Sequence, residues 1–396
     1  MPVFLLGCLL PAPADLVAGP DSPWTRHTID DSSRGADGIR LADVNGDGAV
    51  DIAAGWEEGG IIRAYLNPGP GKVTHGWPAV TVGNVKSPED AVFLDLDGDG
   101  YTDVVGSCEC RTRTMCFHWA PSDPARFLDA VAWQTQPIPV TRQTQSWMFT
   151  LPLDVDGQNR IDLIVGSKRF GAGISWLESP ARPRDVAAWK YHKLRDAGWI
   201  MSLEKFDLDR DGDLDIVVTD RKGPRRGVFW LEYPGTAAAL TGAAWQEHSI
   251  GVREQEVMFA DVATTRDGLL DEIPLAAKLV NILRFQRTRR VHTSWLPPSE
   301  QSPPAELRTL KSVHKADLNP DGISVPVVSR KQASGDRTRI AWLQGKTNGS
   351  PQWVFRTPGD PTGIKFDLIQ RLVLDADSDL DVIVLRRTYK SWCLLV

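Results

Sequence analysis

Apolar residues in this chain come in short β-branched and aromatic runs, and acidic polar loops separate them at regular intervals. Asp51-Ile-Ala-Ala54, Asp103-Val-Val-Gly106 and Asp215-Ile-Val-Val218 each follow such a loop, while Ile174-Ser-Trp-Leu177 and Val228-Phe-Trp-Leu231 lie one run further on. Runs of this composition predict β-strands. The loops are nine residues long. The clearest are Asp43-Val-Asn45-Gly-Asp47-Gly-Ala49-Val-Asp51, Asp95-Leu-Asp97-Gly-Asp99-Gly-Tyr101-Thr-Asp103 and Asp207-Leu-Asp209-Arg-Asp211-Gly-Asp213-Leu-Asp215. Each is predicted to join two strands, unlike the helix-flanked loop of an EF-hand.

Oxygen side chains occupy loop positions one, three, five and nine, and a backbone carbonyl is available at seven. So many carboxylates in so short a segment repel one another unless a cation sits among them. A hard ion such as Ca²⁺ takes six to eight oxygens in a flexible cage, and glycine permits the tight bend. The expected ligands are Asp43, Asn45, Asp47 and Asp51; Asp95, Asp97, Asp99 and Asp103; and Asp207, Asp209, Asp211 and Asp215. A weaker copy adds Asp154, Asp156 and Asp162, so three to four Ca²⁺ sites are expected. Copies starting at Asp261 and Asp317 depart from the pattern, and Asp375-Ala-Asp377-Ser-Asp379-Leu-Asp381 is two residues short, so calcium is least expected there.

The first Asp of six copies falls at 43, 95, 154, 207, 261 and 317. A repeat of this length indicates a propeller or solenoid. Two aromatic markers keep the same period. Trp24, Trp77, Trp133, Trp189, Trp245, Trp295 and Trp353 precede the loops, and Tyr65, Trp119, Trp176, Trp230, Trp342 and Trp392 follow them. Most of these Trp residues are expected to pack blades rather than stack on sugars. Each unit reads as four antiparallel strands, A to D, with the acidic loop between A and B. The expectation is an all-β, seven-bladed propeller. Unit seven ends after its strand C, so the strand near Trp24 should supply its strand D and close the ring.

The Asp-x-Asn/Asp-Gly-Asp-Gly-x-x-Asp loops, their strand context and their period resemble FG-GAP/VCBS-type repeats, from about residue 22 to the end. The resemblance implies a calcium-binding propeller like those of integrin α subunits, fungal lectins and secreted bacterial proteins. It does not specify an activity, because that fold hosts lectins, adhesion modules and lyases.

Net charge is −6 over 396 residues, with the carboxylates concentrated in the loops. That balance speaks of metal rather than of partners. No basic–aromatic motif points to nucleic acid, no apolar run reaches membrane-spanning length, and a monomer is expected. Residues 1–20 are apolar, end in small residues and contain Leu5-Leu-Gly-Cys8, which is similar to a lipoprotein cleavage box. They read as a truncated signal or lipoprotein segment before a single propeller over 21–396, and place the protein outside the cell or in the periplasm. Cys108, Cys110, Cys116 and His118 cluster in blade two. Alternate strand residues share a face, which would suit Zn²⁺, but the spacing is no standard zinc pattern. In an exported protein a hairpin disulfide from Cys116 to Cys108 or Cys110 is the expectation.

The face opposite the acidic loops carries polar B–C loops, acidic at Glu57, Glu58 and Glu109 and basic at Lys168, Arg169, Arg221 and Lys222 among others. The concentration of basic groups favours an anionic or heavily hydroxylated ligand. Inner strands should be apolar, yet Arg40, Glu204 and His314 stand three residues before their loops, and Asp90 and Glu256 stand five before. Glu89, Trp147 and Trp199 flank the same opening. Ionisable groups there line a wet shaft or pair across blades. Two functions from different classes follow. The first is binding of a glycan or anionic small ligand at the central funnel, with Asp90, Glu256, Trp147, Trp199 and Glu89 as contacts. The second is a carbohydrate lyase or dehydratase with His314 or Glu204 moving a proton and Arg40 stabilising the anion. A protein-interaction scaffold fits the fold alone.

Overall fold

The computed structural model describes residues 27–395 except 111, 254, 265–269, 278–281, 289–293, 302–309, 317–324, 331–339, 345–351, 357–364, 373, 375–380 and 388–391. The strands form seven antiparallel sheets. Blade one comprises Ala36–Ala42, Asp51–Trp56, Ile61–Tyr65 and Ala79–Asn84. Blade two comprises Pro88–Leu94, Asp103–Cys108, Thr114–Trp119 and Gln134–Pro137; blade three Ser146–Leu153, Asp162–Lys168, Gly173–Glu178 and Lys190–Asp196. Blade four is Ile200–Phe206, Asp215–Asp220, Gly227–Glu232 and Gln246–Gly251. Blade five runs from Val257–Ala260 through Leu270–Ala277 and Ile282–Gln286 to Ser299–Gln301, and blade six from Leu310–Ala316 through Val325–Arg330 and Ile340–Gln344 to Gln352–Arg356. Strand A of each blade packs on strand A of the next, and that of blade seven on that of blade one. The molecule is a seven-bladed β-propeller.

Blade seven joins the two ends of the chain. Lys365–Leu372, Asp381–Arg387 and Trp392–Leu395 are completed by Thr28–Asp30, with Thr28 opposite Leu395 and Asp30 opposite Leu394. The closing strand is the expected one, although Trp24 lies outside the described residues. Asp30 also ties this strand to blade one: its carboxylate takes Arg63 and accepts from the Tyr65 hydroxyl at 2.8 Å. Closure pairs an edge that would otherwise expose open backbone groups.

Most of the described aromatic markers are core. Trp56, Trp119, Trp147 and Trp230 are fully buried. Trp77, Trp133 and Trp189 are buried at the ends of the C–D connections, where each indole N–H donates to a carbonyl just upstream, of Val73, Phe127 and Pro183. The histidines three residues after Trp189 and Trp245 have a packing role too. His192 and His248 stack on Trp176 and Trp230 of the neighbouring strand C, with ring centroids 4.5 and 4.2 Å apart, and bond Glu178 and Glu232.

Every A–B pairing carries a register shift in the first half of strand A, for example between Asp37 and Ile39 and between Ile200 and Ser202. Such a bulge adds one residue and breaks the two-residue alternation of faces. Counting back from each acidic loop, side chains six before it face the shaft ahead of the bulge: Asp37, Glu89, Met148, Met201 and Lys311. Those three before it face the shaft beyond the bulge: Arg40, Val92, Glu204 and His314. In blade five the acidic pattern gives way to an extra short strand, Ala263–Thr264, paired with Leu270–Ala277. No helix among the described residues is long and apolar enough to cross a membrane.

Candidate functional site

The acidic loops are built alike. The position-one carboxylate folds the loop over itself: Asp43 accepts from Gly46 and Gly48, Asp95 from Gly98 and Gly100, and Asp154 from Gly157 and Asn159. Position three accepts the N–H of position five, as Asn45 does from Asp47 and Asp97 from Asp99. Gly46, Gly48, Gly98 and Gly100 all have positive φ, between 73° and 87°, which a side chain would strain.

Position nine has a second task that the sequence reading missed. Asp51, Asp103, Asp162 and Asp215 are completely buried. One oxygen of each accepts the N–H at loop position two, of Val44, Leu96, Val155 and Leu208. The other accepts an N–H just past strand C, of Asn67, Ala120, Ser179 and Tyr233. The residue fastens the loop to the exit of strand C. Burial pushes Asp103 and Asp215 up to about 7, against those two bonds.

The donor set suits a divalent cation. Carboxylates of Asp95, Asp97 and Asp99, of Asp154, Asp156 and Asp162, and of Asp207, Asp209 and Asp211 each approach within 4.8 Å of one another. Asp156 Oδ2, Asp207 Oδ1 and Asp213 Oδ1 are buried without a hydrogen-bond partner. Orphaned carboxylate oxygens are costly, and a cation at the loop centre would satisfy them. The fourth, seventh-position oxygen Asp213 was not among the expected ligands.

The shaft is divided. Phe149, Met201 and Phe259 line both of its described cavities and so form the partition between them, with Phe149 and Phe259 in an edge-to-face contact at 5.8 Å. The larger cavity, about 390 Å³, contains Arg40, Glu204, Asp261 and His314, and lies toward the acidic-loop end of the strands. Arg40 is bidentate to the buried Asp90 at 2.9 and 3.0 Å, and Asp90 also accepts from Thr150 N–H. His314 Nδ1 is 3.5 Å from Asp261, while its Nε2 is buried without a hydrogen-bond partner. Burial pushes Glu204 up to about 7; Arg40 opposes this and Asp261 adds to it.

The second cavity, about 130 Å³, lies at the B–C loop end. Lys168 is buried there between Glu89 at 2.8 Å and Glu109 at 2.5 Å. Burial alone would raise both acids; Lys168 outweighs it at Glu109, whereas Glu89 stays well above the usual carboxylate range. Trp199 is half-buried under Arg221 at 4.7 Å and Lys168 and Lys222 at 5.0 Å. Arg221 also pairs with Glu256 at 3.2 Å.

Of the expected shaft residues, Arg40, Glu204 and His314 therefore line one chamber, with Asp90 behind Arg40, and Glu89 and Trp199 line the other, with Glu256 paired to its Arg221. The expectation of a single mouth on the B–C side is corrected: the bulge and the aromatic partition split it. Trp147 is also corrected. It is wholly buried between blades, its N–H donates to Thr141, and no face is free for a ligand. Asp37 and Lys311 were missed because strict alternation places position five, not six, in the shaft. In blade two, Cys108 and Cys116 stand side by side as free thiols rather than as the expected disulfide. They are diagonal neighbours, since Cys108 lies opposite Thr114 and Cys116 opposite Gly106. Cys110 turns away to Glu109, and His118 bonds Thr135 with its ring against Gly83 and Gly106, so the four do not gather around one point.

Residues 43–106 match the model of the FG-GAP-like repeat. No curated protein matches the chain. Among solved structures, the Cps50 (Swd1) β-propeller domain of Myceliophteria thermophila is similar, with TM-score 0.53 and 11% identity over 93% of this chain and 99% of that one. BBS1N, in a complex with ARL6DN, is similar with TM-score 0.51 and 9% identity over 95% and 96%. These likenesses concern the fold.

Proposed function

We propose that this protein is an exported, calcium-stabilised propeller that binds a small polar ligand, a glycan unit or another hydroxylated or anionic molecule, in the central shaft. The observation that carries this reading is the larger chamber. It combines one fixed cation, Arg40, with the acids Glu204 and Asp261, the imidazole of His314 and the aromatic ring of Phe149, which suits a ligand with hydroxyls on one side and apolar CH groups on the other. Calcium belongs to the scaffold: Asp43, Asn45 and Asp47, Asp95, Asp97 and Asp99, Asp154 and Asp156, and Asp207, Asp209 and Asp211 would hold it. A bound ion supplies charge neutralisation and loop rigidity.

A second reading is favoured by the buried, unpartnered Nε2 of His314. Asp261 would hold the proton on Nδ1, leaving Nε2 to remove a proton beside a carbonyl or carboxylate. Arg40 would steady the resulting anion, and Glu204, protonated near neutrality, would protonate a departing hydroxyl or alkoxide. That is a lyase or dehydratase. A glycan array, followed by an ultraviolet assay for unsaturated products on each hit, separates the readings. Glu204→Gln and His314→Ala should each weaken binding at least tenfold and abolish any turnover, with the calcium-dependent melting temperature kept. Variants that bind like the parent protein would remove the shaft from consideration.

A further inference from the structure

Loop two, Asp95–Asp103, matches the acidic pattern at every position, as loop one does, and a side-chain cation already sits on it. Asp97 Oδ1 and Asp99 Oδ1 are used by the N–H groups of Asp99 and Tyr101. The oxygens left for an ion are Asp97 Oδ2 and Asp99 Oδ2, and both are held by Arg184: Nε on the first, and Nη2 on the second at 3.2 Å. Arg184 comes from the C–D connection of blade three. Its guanidinium lies 4.8 Å from the Trp119 ring centroid of blade two, and the segment behind it is pinned by the Trp189 indole on Pro183. A planar fork that pairs two carboxylates and stacks on an indole is the preferred use of arginine over lysine. Loops three and four differ. Arg160 stands 3.7 Å from Asp156, yet Asp156 Oδ2 has no hydrogen bond. Arg287 lies in the field of loop four, yet Asp207 Oδ1 has none either.

We propose that Arg184 is the resident cation of loop two and competes with calcium there, so that a loop with a complete consensus is the last to fill. The inference rests on the calcium reading above. It makes the contact between blades two and three responsive to calcium: filling loop two must displace Arg184 from Asp97 and Asp99, or share them with it.

The test uses calcium itself, titrated calorimetrically into the full chain after EDTA treatment and dialysis, with melting measured in EDTA alongside. Arg184→Gln should tighten the weakest calcium step by about fivefold, the scale of a partly exposed ion-pair network. It should also lower the melting temperature in EDTA, because Asp97 and Asp99 then face each other without a counter-charge. Arg184→Lys should fall between. In an Asp97→Asn, Asp99→Asn background, Arg184→Gln should leave the calcium steps unchanged and lower the melting temperature in EDTA by less, because only the stacking on Trp119 is then lost. Calcium steps that are unchanged or weakened by Arg184→Gln would overturn the competition while leaving the calcium reading intact. The absence of any calcium binding to parent and variant would overturn both.

Discussion

At the scale of single residues, Glu204 is the most exposed to test. Its carboxyl is raised to about 7 from an ordinary 4.5, chiefly by burial. The sign follows from linkage. Between about 4.5 and 7 the folded chain holds a proton at Glu204 that the unfolded chain has lost, so rising pH disfavours folding through this group. Below 4.5 the group contributes nothing to the slope, and above 7 its penalty is fully developed. Gln stays neutral throughout. Glu204→Gln should therefore gain melting temperature relative to the parent as pH rises from 5 to 8 in saturating calcium. A difference that is flat across that range would mean Glu204 is solvated as an ordinary surface acid. Glu204 and His314 were legible in the sequence because an ionisable side chain in an inner strand breaks the apolar pattern. Asp261, which lies 3.5 Å from His314 Nδ1, was legible only as the first residue of a degenerate loop.

Single blades show why one repeat serves two purposes. Positions one, three and five of the acidic loop hold oxygens around a central point, while position nine holds the loop to the exit of strand C through two buried backbone bonds. The two roles separate experimentally. Asp215→Ala removes both bonds and should cost about 3–6 kcal/mol in EDTA and in calcium alike, since hydrogen bonds to a buried charge are worth about 1.5–3 kcal/mol each. Asp211→Asn leaves the fold of the loop and should cost little in EDTA but lose most of the calcium-induced rise in melting temperature from that site. Denaturant melts of both variants with and without calcium decide it. Equal behaviour of the two would mean that position nine is simply another ligand. The spacing made position nine visible as an acid, but its two backbone partners lie on different segments that only the folded blade brings together.

Across the whole molecule the ring closes on three residues, Thr28–Asp30, supported by Asp30 reaching Arg63 and Tyr65 of blade one. Deleting residues 1–33 should leave Trp392–Leu395 as an open edge, lower the melting temperature by several degrees and promote self-association on size-exclusion chromatography. The substitution Asp30→Ala should do part of the same while keeping the strand. A truncated chain that melts and elutes like the parent protein would show that the first blade and the last hold together without it.

The sequence by itself determined the repeat, the seven blades, the closing strand and the acidic loops, because each is a local pattern recurring at a fixed spacing. Hydrophobic runs and glycine positions act within a few residues, and a period carries that local information around the ring. The rest of what faces the shaft, and its division, were decided only in three dimensions. A one-residue bulge in strand A turns Asp37 and Lys311 inward, and Phe149, Met201 and Phe259 meet from three blades to part the shaft. The pairing of Arg184 with Asp97 and Asp99 likewise spans 87 and 85 residues. Contacts of that separation depend on how whole blades pack, and no spacing along the chain encodes them.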